Sequence, residues 1–395
     1  MNSLAPYCQN RMAFIDLASG AAETMNLPDD SLTKYIGGAA LAANLASVYP
    51  GAIIFVTGPL VGSFAPASGL MTATFSLQNG KTAQFALPLG HGAWLRQSGF
   101  DLMVIVASAA EPTVIRCAKG GLTLDSDASF SQQPNRNALR EALLCQTADG
   151  LSALLLADAH SGPKDNAAPA AGSKNGTLPG ASLLGAALAA KNILALSLDG
   201  GCPLPPIPVP LHGPLWQKAA QTPESPRDAL LRELEFSSGA PVTLPVGLGI
   251  KSAACYHCPS PCLAWIPTSS SRYLLAADHA SLAAAITSCG ANAGTCMAAC
   301  DAQGIDILVA APFLAGHEHN TIQDALSSLT LNAAVATPTA KPLDEAQKFG
   351  LILGVCPRLI RRKSLTADDL ALAAGSDIAE RLQDAAALLS QEAYI

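Results

Sequence analysis

An α+β fold is predicted for this chain of 395 residues. Short apolar runs between glycine, proline and aspartate turns dominate its first half, and helical periodicity dominates the rest. A proline-rich connector, Gly200-Gly-Cys-Pro-Leu-Pro-Pro-Ile-Pro-Val-Pro210, lies between them. Proline fixes φ and favours a stiff, extended chain, so this connector marks the expected boundary. It divides a β-rich N-terminal domain, 1–210, from a mainly helical domain, 211–395.

The elements follow in order. Residues 52–57 (AIIFVT), 70–76 (LMTATFS) and 102–107 (LMVIVA) are β-branched and apolar runs bounded by turn residues, and are predicted strands. Residues 32–48 carry helical spacing behind Asp29, Asp30 and Ser31, with Ser31 as N-cap and a break at Gly37-Gly38. A second helix is expected over 136–147. Residues 159–177 are rich in Gly, Ala, Pro, Ser and Asn without periodicity and are predicted to be a long loop. Order returns over 186–198. Beyond the connector, helices are expected over 228–235, 279–286, 294–303, 344–353 and from 367 to the end. No internal repeat is visible.

Composition excludes several classes. Half of the residues are hydrophobic and 13% are charged, which describes a compact chain and not a disordered one. A net charge of −7 argues against nucleic acid as a partner, because phosphate backbones need clustered Lys and Arg. No charge-free apolar stretch is long enough to cross a membrane, and no export signal is visible in residues 1–12. Eleven cysteines in such a chain point to a reducing cytoplasm, where thiols bind metals and stay unpaired.

The cysteines make the sharpest chemical statement. Cys255, Cys258 and Cys262 form a C-x2-C-x3-C cluster, and Cys356 stands far downstream. One short turn can aim three soft thiolates at a single point, and a distant fourth closes a tetrahedral set. Both an iron–sulfur cluster and structural zinc need that donor set. Cys289, Cys296 and Cys300 share one helical face and are expected to be buried small hydrophobes. His317-Glu318-His319 has no further ligands nearby and is expected to be a solvated loop. The basic run Arg358, Arg361, Arg362 and Lys363 follows Cys356 and fits either a helix C-terminus or a docking patch for an acidic partner.

Taken in order, several segments resemble the aldehyde ferredoxin oxidoreductase family. They are FIDL at 14–17, KYIGGAALAA at 34–43, VTGPLVG at 56–62, PASG at 66–69 and GAWLRQSGFD at 92–101. LGAALAAKN at 184–192, the cysteine cluster, CDAQGID at 300–306 and GVC at 354–356 complete the series. The resemblance implies a β-rich N-terminal domain that cradles a tungsten or molybdenum bis-pterin, followed by helical domains beside a [4Fe–4S] cluster. It implies oxidation of an aldehyde to a carboxylate, with electrons passed to ferredoxin or another electron-transfer protein. Cys255, Cys258, Cys262 and Cys356 then match the cluster ligands. Gly37, Gly38, Gly58, Gly69, Arg96, Lys191, Asp301, Gly304 and Asp306 match cofactor-binding positions.

The chain also departs from the family pattern. Ala39 and Leu70 stand where the family's loops carry arginine, and Leu351 stands where an acid is expected. Trp94 replaces a glutamate and Arg96 a lysine. The stretch from 306 to 351 is short for a substrate channel. Every departure falls on the pterin side. Two readings follow: a working aldehyde oxidoreductase, or a shortened member without pterin that serves as an iron–sulfur electron-transfer or assembly subunit. Either suits a homodimer or a subunit of a larger complex.

Overall fold

In the computed structural model of the chain the described residues are 10–27, 31, 34–63, 65–77, 80, 82–87, 89–133, 135–146, 153–156, 172–173, 176–177, 182–204, 213–220, 231–232, 234–235, 239–244, 251–259, 263–267, 274–303, 305–315, 322, 325–326, 341–363, 365–374, 376–389 and 392–393. Cys262, Gly304, His317-Glu318-His319 and most of the stretches 159–177 and 205–210 lie outside them.

Strand β1 (Arg11–Asp16) pairs antiparallel with β2 (Ala21–Asn26) and parallel with β6 (Leu102–Val106). β6 runs antiparallel to β3 (Ile53–Thr57), which continues into β4 (Met71–Ser76) and β5 (Thr82–Leu87). Helix α1 (Gly38–Val48) connects β2 to β3, and α2 (His91–Gln97) connects β5 to β6. The next elements are β7 (Thr113–Ala118), β8 (Gly121–Asp125), α3 (Ala128–Ser131), α4 (Arg136–Cys145) and β9 (Ala153–Leu156). Then come β10 (Gly172–Ser173), β11 (Gly176–Thr177), α5 (Ser182–Ala190) and β12 (Ile193–Gly200).

Among the described residues these strands form two six-stranded sheets, ordered β2-β1-β6-β3-β4-β5 and β8-β7-β12-β9-β10-β11. Raising each strand number of the first order by six produces the second. Every pairing keeps its direction, including the single parallel one, β1 with β6 and β7 with β12. Residues 11–200 are therefore built from two copies of one β-β-α-β-β-β-α-β pattern, the second with the short α3 added before α4, which corrects the expectation of no internal repeat. The repeat hides because a strand needs only alternating apolar faces, and many sequences satisfy that. β10 and β11 fall inside the Gly- and Ala-rich stretch predicted to be loop.

Side-chain alternation sorts each strand into two cores. Ile53 and Phe55 of β3, with Met103 and Ile105 of β6, face a core shared with Ile115, Cys117, Leu196 and Leu198 of the second sheet. Ile54, Val56, Leu102 and Val104 face the opposite core, against α1. Burial on both faces explains why these strands are continuous apolar runs.

The rest of the chain is largely helical, as expected. It comprises α6 (Gly213–Ala220), α7 (His279–Cys289), a 3-10 turn (Gly290–Asn292), α8 (Ala293–Gln303) and α9 (Ile307–Leu314). These are followed by α10 (Glu345–Leu353), α11 (Pro357–Lys363), α12 (Ala367–Ala374) and α13 (Ser376–Ala387). Two strand groups depart from the helical expectation. β13 (Lys251–Ala253), β14 (Leu263–Pro267) and β15 (Leu274–Asp278) form an antiparallel sheet that flanks the cysteine turn. β16 (Lys341–Pro342) pairs with β17 (Glu392–Ala393), so the last helix stops at Ala387.

Two helical layers cover the sheets. α10 to α13 share the α1 core, through residues such as Leu351, Leu353, Ile360, Leu370 and Leu382. α10 starts on a capping box of Asp344 and Gln347 and ends at Gly354, whose φ of 86° is the left-handed C-cap that favours glycine. α7, α8 and α9 enclose their own core with Ala264 and Ile266 of β14. This bundle docks on the second unit through a buried ion pair, Arg140 of α4 with Asp301 of α8, at 3.0 Å.

Candidate metal centre

The four predicted ligands lie on two separated segments. Cys255 and Cys258 sit on a turn after β13, closed by a hydrogen bond from Cys258 N–H to the Cys255 carbonyl at 3.1 Å. Cys356 lies between α10 and α11. One residue of the first unit holds both segments. Ala67 N–H donates to the His257 carbonyl at 2.8 Å, and the Ala67 carbonyl accepts from Cys356 N–H at 3.3 Å. Ala67 and His257 both take positive φ, 54° and 48°, a backbone state that non-glycine residues adopt only when surrounding contacts demand it. Cys258 and Cys356 also pack against the same apolar core. Among the described residues alone no group of three His, Cys, Asp or Glu side chains gathers around a metal-sized point. Cys262, the remaining member of the set, is outside the described residues.

The turn is shielded on one side. The Tyr256 and His257 rings stack at 4.3 Å, nearly parallel, and the Tyr256 hydroxyl donates to the Gly62 carbonyl at 3.5 Å. Partial burial pushes the Tyr256 phenol up from its ordinary range. The thiols of Cys255, Cys258 and Cys356 are half-buried. Two tied segments of soft thiolate donors, partly withdrawn from water, have the donor chemistry that an iron–sulfur cluster requires.

The predicted cofactor glycines point somewhere else. A Cβ on Gly38 would lie 2.1 Å from the Leu351 carbonyl oxygen, and one on Gly58 2.1 Å from the Leu353 carbonyl carbon. Gly37 is less tight, with Pro59 Cδ at 3.1 Å. A Cβ on Gly69 would meet Tyr256 Cβ and Gly90 Cα, each at 2.8 Å. The missing side-chain volume at these positions is thus occupied by the chain itself. Gly38 and Gly58 admit the end of α10 that leads to Cys356, and Gly69 admits the turn that carries Cys255 and Cys258.

The predicted polar contacts are likewise engaged within the protein. Arg96 is fully buried. It pairs with Asp101 at 3.0 Å and donates to the carbonyls of Pro59 at 3.2 Å and Val61 at 2.7 Å. It therefore clamps the loop that contains Gly58. Lys191 donates to the Ala107 carbonyl at 2.6 Å, joining the end of α5 to the end of β6, and burial depresses its ammonium. Asp301 is paired with Arg140. Asp306 caps α9 by accepting from Leu308 N–H at 3.0 Å. Each of these residues has a structural task. Gly304 lies outside the described residues, as do the side chains of Arg361 and Arg362 on α11.

Sequence reasoning missed Ala67, Tyr256, Gly90 and Gly354, which position the two cysteine segments. Tyr256 and Gly354 were visible as neighbours of the cysteines. Nothing in the sequence announces the left-handed backbone at Ala67.

Residues 12–200 match the aldehyde ferredoxin oxidoreductase N-terminal domain, the span of the two repeated units. Residues 12–200 thus carry the N-terminal domain of the aldehyde ferredoxin oxidoreductase family. No curated protein matches it in sequence. Among solved structures it is similar to the active site complex BamBC of benzoyl coenzyme A reductase, determined with 1,5-dienoyl-CoA. The TM-score is 0.61 at 12% identity, over 96% of this chain and 64% of that one. That likeness is one of fold, and this chain spans less than two-thirds of the other's length. No helix among the described residues is long and apolar enough to cross a membrane.

Proposed function

We propose that this chain is the iron–sulfur subunit of an aldehyde ferredoxin oxidoreductase-type complex, and that it does not itself hold the pterin metal. One observation carries the reading: the glycines expected to cradle pterin seat the two cysteine segments instead. Cys255, Cys258, Cys262 and Cys356 would hold a [4Fe–4S] cluster, which supplies one-electron transfer when bound. The chain's own residues set its surroundings. The thiolates concentrate negative charge, the Tyr256–His257 stack and the α10–α11 core restrict water, and Ala67 fixes the spacing of the segments. Such second-shell burial and hydrogen bonding tune a cluster's potential. The basic run on α11, directly after Cys356, supports docking of an acidic carrier such as ferredoxin.

The family match over residues 12–200 supports the second reading, an aldehyde oxidoreductase complete in itself. Elemental analysis separates the two. Protein purified anaerobically after growth with iron, tungstate and molybdate should carry about four iron and four sulfide per chain, and far less than one tungsten or molybdenum. Cys258→Ser should bleach the cluster absorbance. Stoichiometric zinc without sulfide would refute the iron–sulfur reading. A full equivalent of tungsten or molybdenum, with aldehyde-dependent dye reduction, would establish the second.

A further inference from the structure

A second group of cysteines lies away from this centre, in the α7–α9 bundle. Cys289 is the last residue of α7, and the 3-10 turn that follows leads directly into α8. That reversal returns Cys296, in the first turns of α8, toward Cys289; both pack in the same apolar core and their thiols interact. Cys296 is fully buried, whereas Cys289 at the helix end is only partly covered. Cys300 lies one turn further along α8 and is fully buried as well. The expectation of inert core cysteines describes Cys300. It does not describe Cys289, an accessible thiol in contact with a sheltered one.

We infer that Cys289 and Cys296 form a dithiol–disulfide redox pair, with Cys289 as the attacking thiolate and Cys296 as the resolving thiol. The electrostatics agree with these roles. The hydrogen bond from Cys296 holds the Cys289 thiol below its ordinary range, against the opposing effect of burial. The same contact, followed by burial, pushes Cys296 up. Cys300 is pushed up by burial, then by the negative neighbours Cys289, Asp306 and Asp301. Access selects the reactive sulfur, and Cys289 is the accessible one of the pair.

A hydroperoxide is the oxidant class that fits. The Cys289 thiolate attacks the outer peroxide oxygen, the O–O bond breaks, and the alkoxide or hydroxide takes a proton and leaves as alcohol or water. Cys289 is then a sulfenic acid. The Cys296 sulfur attacks the Cys289 sulfur, the S–S bond forms, the S–O bond breaks, and hydroxide leaves with the Cys296 proton as water. Two thiols and one hydroperoxide yield one disulfide, one alcohol and one water. The two electrons pass from sulfur to the peroxide. The bond would fasten the end of α7 to α8, in the bundle that docks on α4 through Arg140 and Asp301.

The full-length, cluster-loaded protein tests this. After brief hydrogen peroxide treatment and thiol blocking, unreduced digestion should yield one peptide holding both Cys289 and Cys296, unblocked at both and lighter by two hydrogens than its dithiol form. Cys296→Ser should leave a sulfenic acid at Cys289 that dimedone labels, and Cys289→Ser should abolish the label. Cys300→Ser, a neutral control, should retain the cross-link. Absence of the wild-type cross-link while other thiols oxidise would overturn the inference. So would equal dimedone labelling of Cys296 and Cys289 in the untouched chain.

Discussion

Replacing Gly58 by alanine tests the link between the glycine positions and the cysteines. Gly58 has an ordinary φ, so alanine adds a steric demand and no backbone strain. Its Cβ would lie 2.1 Å from the Leu353 carbonyl carbon, 2.3 Å from Gly354 N and 2.4 Å from the Ile352 carbonyl oxygen. The opposing backbone would have to withdraw by roughly 1 Å to reach ordinary packing distance. It has little freedom to do so. Leu60 N–H bonds the Leu353 carbonyl at 2.9 Å, and the missing Cβ of Gly354 faces Val61 Cγ2 at 2.1 Å. Overpacking of this kind costs about 1–3 kcal/mol. Taking about 2 kcal/mol, the melting temperature of a chain this long should fall by roughly 2–3 °C.

Iron per chain should fall with it, because the displaced segment ends two residues later at Cys356. Thermal unfolding and iron analysis on one preparation read both effects. Gly121→Ala is the control: its nearest neighbour would be the Ala118 carbonyl at 3.4 Å, an ordinary contact, and its cost should stay within about 0.5 kcal/mol. Wild-type melting and iron in Gly58→Ala would refute the packing argument. A lower melting temperature with full iron would separate the glycine from the cysteines. Loss of tungsten or molybdenum, with unchanged melting of the metal-free chain, would return Gly58 to a pterin cradle.

Three further outcomes follow from the same geometry. Arg140→Leu leaves Asp301 charged and buried without its ion-pair partner and should cost about 3–5 kcal/mol, whereas adding Asp301→Leu should recover most of it; thermal unfolding of the single and double variants decides. Asp369 bonds Lys218 of α6 at 2.5 Å; burial raises its carboxyl, but the bonds from Lys218 and Thr366 outweigh that and hold it below the usual range. A depressed acid stabilises fully above its unfolded value of about 3.9 and loses that contribution as pH falls through the lower folded value. Asp369→Asn should therefore cost stability at neutral pH and flatten the acid limb of the melting curve; an unchanged limb would show that the pair contributes nothing. If α11 docks an acidic carrier, Arg361→Glu with Arg362→Glu should slow ferredoxin reduction and weaken its salt dependence. Reduction of a small neutral dye should persist, and equal loss with both acceptors would make the run structural.

The elements that were legible in the sequence have a local signature. β3, β4 and β6 are continuous apolar runs, and α10 announces itself by Asp344 three residues ahead of Gln347. The break in the first helix was also visible, as Gly37-Gly38, although the helix proper begins at Gly38 and Ile36 supplies the left-handed turn at φ 64°. What stayed hidden depends on distant partners. β10 and β11 are two residues each; β9 offers β10 an edge, and β10 in turn pairs with β11. The resemblance matched Arg96 and Asp301 to cofactor positions, and the sequence could not show Asp101 or Arg140 beside them. Cysteine spacing suggested a shared centre, and the joint that ties its two segments, Ala67, is a residue type with no chemical signal.

The duplicated unit supplies an internal comparison that bears on the glycines. α1 and α4 occupy equivalent places, each between the second and third strands of its unit. α4 begins conventionally: Asn135 accepts from Ala138 N–H at 3.0 Å and caps the first turn. α1 begins at Gly37 without a side-chain cap, behind a γ-like turn in which Gly37 N–H bonds the Tyr35 carbonyl at 2.6 Å. The connection itself therefore does not require glycine, since the second unit makes it with an ordinary N-cap. What differs is the neighbour. The end of α10 lies on the start of α1, where the Leu351 and Ile352 carbonyls occupy the space of a Gly38 side chain. The first unit thus gives up a side-chain helix cap, at a cost of about a few tenths of a kcal/mol with glycine in its place, where the segment leading to Cys356 must approach. Gly38→Ala should accordingly lose iron as well as stability, and Asn135→Ala should lose about 1 kcal/mol of stability with its iron intact. Equal iron loss in both would mean that each variant acts through global unfolding and that the asymmetry between the units carries no functional meaning.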